Sequence, residues 1–287
     1  MLYILISILS LSGIFVVFKI AEKKNLSVIN IIVVNYLFAA VIGNIQSGVN
    51  PLNMFSQDWF LMAFIIGLLF FVTFVIIGVS TKLVGLSITT VAAKMSTVIP
   101  IVFSIIYFSE DVGALKVLGV LAAVVGVILT VYKPSGGVSK KINIYEIIVP
   151  IILFIGMGTS DSLMKYTQHN FLDSSNIALF NSSLFYISFI SSLIYVIFIK
   201  QTSALLNKNI WFLGIILGIL NFYGVFFFIK ALDSEIFDSS IIFGINNVGI
   251  VSFSVLIGLL IFKEKLFKIN KVGVAISILA IIILSQA

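Results

Sequence analysis

The chain has 287 residues, 61% of them hydrophobic and 10% charged, with a mean hydropathy of +1.25, a composition that excludes a soluble globular domain and implies an integral membrane protein. Cysteine is absent, which removes disulfides, thiolate metal sites and cysteine nucleophiles. The net charge of +6 comes from lysine alone, and since most lysines flank apolar runs it reads as membrane-edge charge with no nucleic-acid partner implied.

A spanning helix needs roughly 20 mostly apolar residues, and ten segments qualify: residues 2–20, 28–47, 59–81, 86–108, 112–132, 145–164, 175–199, 210–231, 236–262 and 268–286. The first, "LYILISILSLSGIFVVF", has no small-residue cleavage site behind it and is expected to stay in the mature chain as a helix. Lys19, Lys23, Lys24, Lys82, Lys133, Lys140, Lys141, Lys200, Lys208, Lys263, Lys265, Lys268 and Lys271 share one set of alternate loops, against Lys116, Lys165 and Lys230 in the other. The positive-inside bias puts the lysine-rich side in the cytoplasm and both termini outside. The expectation is an all-α, multi-pass protein of the cytoplasmic membrane.

The segments also repeat in order. Offsets of 146, 152 and 154 bring Lys19 onto Lys165, Asn30 onto Asn176, Asn35 onto Asn181, the "WFL" at 59–61 onto that at 211–213, and Glu110 and Gly119 onto Glu264 and Gly273. Matching polar residues in one rising register are harder to obtain by chance than matching Leu, Ile, Val or Phe. Residues 1–132 thus read as one five-helix copy, 133–144 as a short basic linker, and 145–287 as a second copy. Because five is odd, the second copy enters the membrane from the opposite side, giving ten transmembrane helices as two inverted repeats. Many transporters are built this way, with substrate held near the midplane and access alternating between faces.

"TVIPIVFSIIYFSE", "FSEDVGALKVLGVLAAVVGVIL" and "FKEKLFKINKVGVAISILAIII" carry the end of each copy. They resemble the EamA-type repeat of the drug/metabolite transporter superfamily, and the resemblance extends over the whole chain. It implies a ten-helix carrier with a central cavity, lined mainly by the first, third and fourth helices of each half, moving small metabolites and often exporting amino acids. The second copy departs from the first in having Ser254 at the place of Pro100, so a hinge at that proline would work in one half only.

Lys94 lies about eight residues into its span, roughly 12 Å deep, where a lysine costs at least about 2.5 kcal/mol unless it faces a bundle interior or a wet cavity. Ser87, Thr90, Lys94, Thr97 and Ser104 stack along one helix face, and Ser240, Gly244, Asn247 and Ser254 do so on the equivalent ninth span. Small polar stripes also serve helix packing; a charge inside one favours a substrate or coupling site. Lys94, Thr90, Thr97, Asn221, Tyr223, Asn246 and Asn247 are the candidate substrate-binding residues, with an anionic group of the substrate expected on Lys94.

Asp161, in "GMGTSDSLMKY", is a second coupling candidate, although Lys165 at i+4 offers it a structural ion pair. Protons are the coupling ion considered, since a desolvated lysine titrates toward neutrality. Asn35 and Asn181 read as a matched packing pair. Glu110 and Glu264, at span ends, read as helix-capping or loop-fixing groups.

No nucleotide-binding loop or metal-ligand motif occurs, and neither a cofactor nor an enzymatic activity is expected. An intramembrane hydrolase using Lys94 with Ser87, Ser96 or Ser104 is the rival from another class. The reading is a monomeric secondary carrier for a small polar metabolite such as an amino acid. The alternative substrate is a phosphorylated or nucleotide-linked sugar, against which the lack of arginine counts.

Overall fold

The computed structural model describes residues 1–84, 93–110, 113–131, 144–234, 236–260 and 268–284. Lipid offers no partner to backbone N–H and C=O groups, so spanning apolar runs close their hydrogen bonds within helices. Among the described residues there are ten α-helices and no strand: α1 (Leu2–Lys23), α2 (Val28–Ser47), α3 (Phe60–Val84), α4 (Val98–Tyr107), α5 (Ala114–Val131), α6 (Ile144–Phe171), α7 (Ile177–Phe198), α8 (Lys208–Asp233), α9 (Ser239–Leu260) and α10 (Lys268–Leu284). Residues 93–95 are also helical and lead into α4 through a turn at 96–97. Six helices, α1, α2, α3, α6, α7 and α8, are long and apolar enough to cross a membrane, while α4, α5, α9 and α10 are shorter in their apolar extent.

The helix ends follow from local chemistry. Gly48 ends α2 in the left-handed region at φ 64, and its N–H returns to Asn44 O at 3.2 Å. Asn50 then accepts from Leu52 N at 2.9 Å to start a 3-10 helix over Pro51–Ser56. A second 3-10 helix, Thr202–Leu206, precedes α8, which Asn207 caps by accepting from Asn209 N at 2.9 Å. Each of the two "WFL" stretches therefore follows a 3-10 helix. Helix α6 outruns its expected span by about two turns, because Thr167 bonds back to Leu163 O and Lys165 donates to Gln168 Oε1 at 2.7 Å, satisfying polar groups past the expected end at 164.

The chain divides into two compact units, Met1–Val72 with Leu163–Ile236, and Thr73–Ser162 with Phe237–Ala287. Each draws helices from both sequence halves. In unit 1, α1, α2, α7 and α8 pack together, with α1 and α7 each against α8 and α2 against both α7 and α8. Glycine makes the approaches close: a Cβ on Gly214 would sit 2.5 Å from Val34 Cβ, and one on Gly43 would sit 2.7 Å from Phe222 Cε2. Serines then hydrogen-bond across the interfaces, Ser182 to Ala40 O at 2.7 Å, Ser188 to Gly67 O at 2.8 Å and Ser7 to Gly224 O at 2.9 Å. This is the small-residue packing expected where lipid removes any hydrophobic drive between helices. In unit 2, α5 packs on α10, and α9 packs on α4, α5 and α10.

Candidate functional site

Three segments of unit 2 bring polar side chains together. Lys94 stands just ahead of α4, Asp161 on α6 and Asn247 on α9. Lys94 Nζ donates to Asn247 Oδ1 at 3.5 Å, and Asn247 Nδ2 donates in turn to Phe243 O at 3.2 Å. Asp161 lies within Coulombic range of Lys94. Glycine again permits the approach: a Cβ on Gly158, one turn before Asp161, would fall 2.5 Å from Ile99 Cδ1 on α4. All three polar side chains are half-buried.

Thr97, one turn after Lys94, is buried, and its Oγ1 has no hydrogen-bond partner among the described residues; the same holds for Asn246 Oδ1, beside Asn247. An ammonium, a carboxylate and an amide are thus close together in an apolar unit, with that hydroxyl and a second amide near them in sequence. Such a set offers donors and acceptors to a solute that carries both charges, or to water. The ammonium suits a carboxylate of the solute and Asp161 suits a cationic group.

The other sequence candidates lie elsewhere. Thr90 and Ser87 fall outside the described residues, as do Glu264 and most of the linker. Asn221 and Tyr223 belong to unit 1. There Asn221 Nδ2 donates to Asn35 Oδ1 at 3.2 Å, both residues being buried, and Asn181 Nδ2 donates to Phe222 O at 3.1 Å. Tyr223 stacks on Phe227 at 6.0 Å, Phe227 stacks on Tyr3 at 5.9 Å, and Lys230 Nζ sits 5.1 Å from the centre of the Phe226 ring. Asn221 therefore has Asn35 as a hydrogen-bond partner across the α2–α8 packing.

Lys165 donates to Gln168, whose Nε2 donates to Asp233 Oδ1 at 3.2 Å, while Ser174 donates to Asp233 Oδ2 at 2.9 Å. The expected i+4 reading of Asp161 with Lys165 overlooked Lys94, which comes from a different helix. Ser96, a serine that a hydrolase would use, donates to Ala93 O at 2.6 Å. Among the described residues no group of three or more His, Cys, Asp or Glu is placed to hold a metal ion.

Sequence reasoning also missed the partner of Glu110. Its carboxylate accepts from Ser239 N at 2.8 Å and Ser240 N at 3.2 Å, and from the Ser240 hydroxyl. It caps α9, across about 130 positions, and not the helix that follows it.

No known family model matches the chain. An uncharacterized protein of Haemophilus influenzae is 26% identical over 284 residues, covering 97% of this chain and 95% of that protein. A protein of known crystal structure matches with a TM-score of 0.77 at 13% identity, over 99% of this chain and 96% of the other. At that identity the likeness is one of fold alone, and it extends across the full length of this all-helical chain.

Proposed function

We propose that the protein is a secondary transporter of the cytoplasmic membrane, an EamA-type carrier built from two inverted five-helix repeats, which moves a small polar metabolite outward by alternating access. The substrate class that fits best is an amino acid or a related compound. One observation carries this reading: Lys94 contacts Asn247 and lies within Coulombic range of Asp161 inside an apolar unit, although half-buried charges in a membrane protein are costly to keep without a use. The duplication is supported by the two 3-10 helices, each set just before a "WFL" stretch.

Lys94 is the group that receives the substrate carboxylate, replacing its long contact to Asn247. Asp161 faces the substrate ammonium or exchanges a proton with the site. Asp161 beside Lys94 disfavours a phosphorylated sugar, whose phosphate would meet a carboxylate in a setting of low dielectric.

Counterflow in proteoliposomes tests the proposal. Vesicles preloaded with one amino acid are expected to accumulate the same labelled amino acid transiently. Saturable counterflow of sugar phosphates in place of amino acids would move the protein to the alternative substrate. Flux without saturation or counterflow would make it a channel.

A further inference from the structure

We propose that Glu110 is the latch of a gate at one end of unit 2, closed in this structure and released during transport; this inference rests on the carrier reading. Glu110 follows α4, and its side chain is 7% exposed. It joins α4 to the first turn of α9 through two backbone N–H groups and the Ser240 hydroxyl. Lys116 of α5 reinforces the junction, with Nζ 3.7 Å from Glu110 Oε2 and an ion pair to Asp238, just ahead of α9. Among the described residues, the charged groups facing Glu110 are thus Lys116 and Asp238; α10, also packed on α5 and α9, carries only Lys268 and Lys271, in its first turn.

The latch bears on the same face as the site. Ser240 and Asn247 are seven residues apart, two turns along one face of α9 and about 10 Å in rise. That face meets Glu110 at one point and Lys94 at the other. Thr97, just ahead of α4, and Ser104, on it, lie between these points in sequence; Thr97 Oγ1 and Ser104 Oγ have no partner among the described residues, so among those residues these hydroxyls add no second tie. When Glu110 lets go, α4 and α9 can part from that end and expose the Lys94–Asn247 contact.

Release is feasible there because the donors involved belong to a helix N-terminus at the edge of the apolar zone, where water replaces a side-chain cap. The lysine distribution assigns this end to the outside.

The chain contains no cysteine, so introduced thiols report cleanly. In a Glu110→Cys/Ser240→Cys variant, a short reversible bifunctional thiol reagent is expected to abolish amino-acid counterflow while leaving amino-acid binding in detergent intact, and reductant should restore flux. Counterflow that survives crosslinking, or binding that is lost with it, overturns the gate. If the uncrosslinked variant and the parent protein both lack counterflow of every solute tried, the carrier reading fails instead.

A second measurement needs no substrate. With Lys94→Cys as the target, a membrane-impermeant thiol reagent added outside should label faster when Glu110→Ala is also present. Glu110→Gln, which keeps an acceptor for the cap, should label at the parent rate. Equal rates for Glu110→Ala and the parent overturn the latch.

Discussion

Lys94 Nζ and Asn247 Oδ1 lie 3.5 Å apart, with 153 positions of sequence between them. One member of each of the two polar stripes that the sequence displays therefore meets the other within one packed unit. A neutral amide only partly compensates an ammonium, so Lys94 still favours an anion, and Asp161 and an incoming carboxylate both answer that demand. In the proposed carrier, competition between them would couple occupancy of the site to its charge.

Removing that ammonium is the first prediction. Lys94→Met should lower transport kcat/KM by at least about tenfold, equivalent to about 1.4 kcal/mol of lost stabilisation. It also leaves Asp161 without its counter-charge, so the single variant should unfold at a lower temperature than Lys94→Met/Asp161→Asn, in which neither charge remains. Scanning fluorimetry and counterflow on the same preparations check both parts. Full transport by Lys94→Met would remove Lys94 from the site.

The second prediction separates packing from binding in unit 1. Asn221 gives its amide to Asn35 at 3.2 Å in a buried setting. Asn221→Leu should therefore reduce stability by about 0.6–1.7 kcal/mol, the range for such bonds between membrane helices. KM measured on the folded fraction should not move. In a double-mutant cycle with Asn35→Leu the two losses should be non-additive. An increase in KM without loss of stability would return Asn221 to the binding residues.

Much of the fold is legible in the hydropathy pattern, because a run such as 28–47 has to be helical in lipid whatever its neighbours are, and α2 is observed over Val28–Ser47. What the pattern does not contain is partnership. Glu110 was readable as a capping group because a carboxylate at a span end suits a helix N-terminus, yet nothing local says that the N-terminus is that of α9. Asp161 has Lys165 at a favourable spacing, which hid its relation to Lys94 on another helix. Gly158, whose hydrogen lies against Ile99, was the local sign that α6 approaches a neighbour closely there. In the same way nothing local to Asn221 indicates that its amide donates to Asn35.

The third prediction uses two glycines of α2 and its end. A Cβ at Gly43 would stand 2.8 Å from Ser182 Cβ and 3.0 Å from Ser182 Cα, so backbone has to move. Gly43→Ala should cost about 1–3 kcal/mol through overpacking of α2 on α7 and α8. Gly48 has open space around it and φ +64, so Gly48→Ala meets only backbone strain, about 1 kcal/mol. Thermal unfolding in one detergent should rank Gly43→Ala below Gly48→Ala, and the opposite order would mean that the α2–α7 contact yields easily.

The fourth prediction concerns the loop between α6 and α7. Asp173 Oδ1 accepts from the Ser175 hydroxyl at 2.5 Å, from Ser175 N at 2.9 Å and from Asn176 N at 3.1 Å. The Ser175 hydroxyl first, then its N–H, holds the Asp173 carboxyl below the usual carboxylate range. A carboxyl depressed in the folded state binds protons less readily than in the unfolded chain. Its contribution to the turn is therefore present above the ordinary carboxylate range and lost as the pH falls through the lowered value. In an NMR titration of the labelled carboxyl carbon, Asp173 should titrate below an unperturbed aspartate, and Ser175→Ala should bring its midpoint back up. A midpoint that ignores Ser175→Ala would show that the hydroxyl does not hold the carboxylate, and the turn would then owe its shape to the backbone N–H bonds alone.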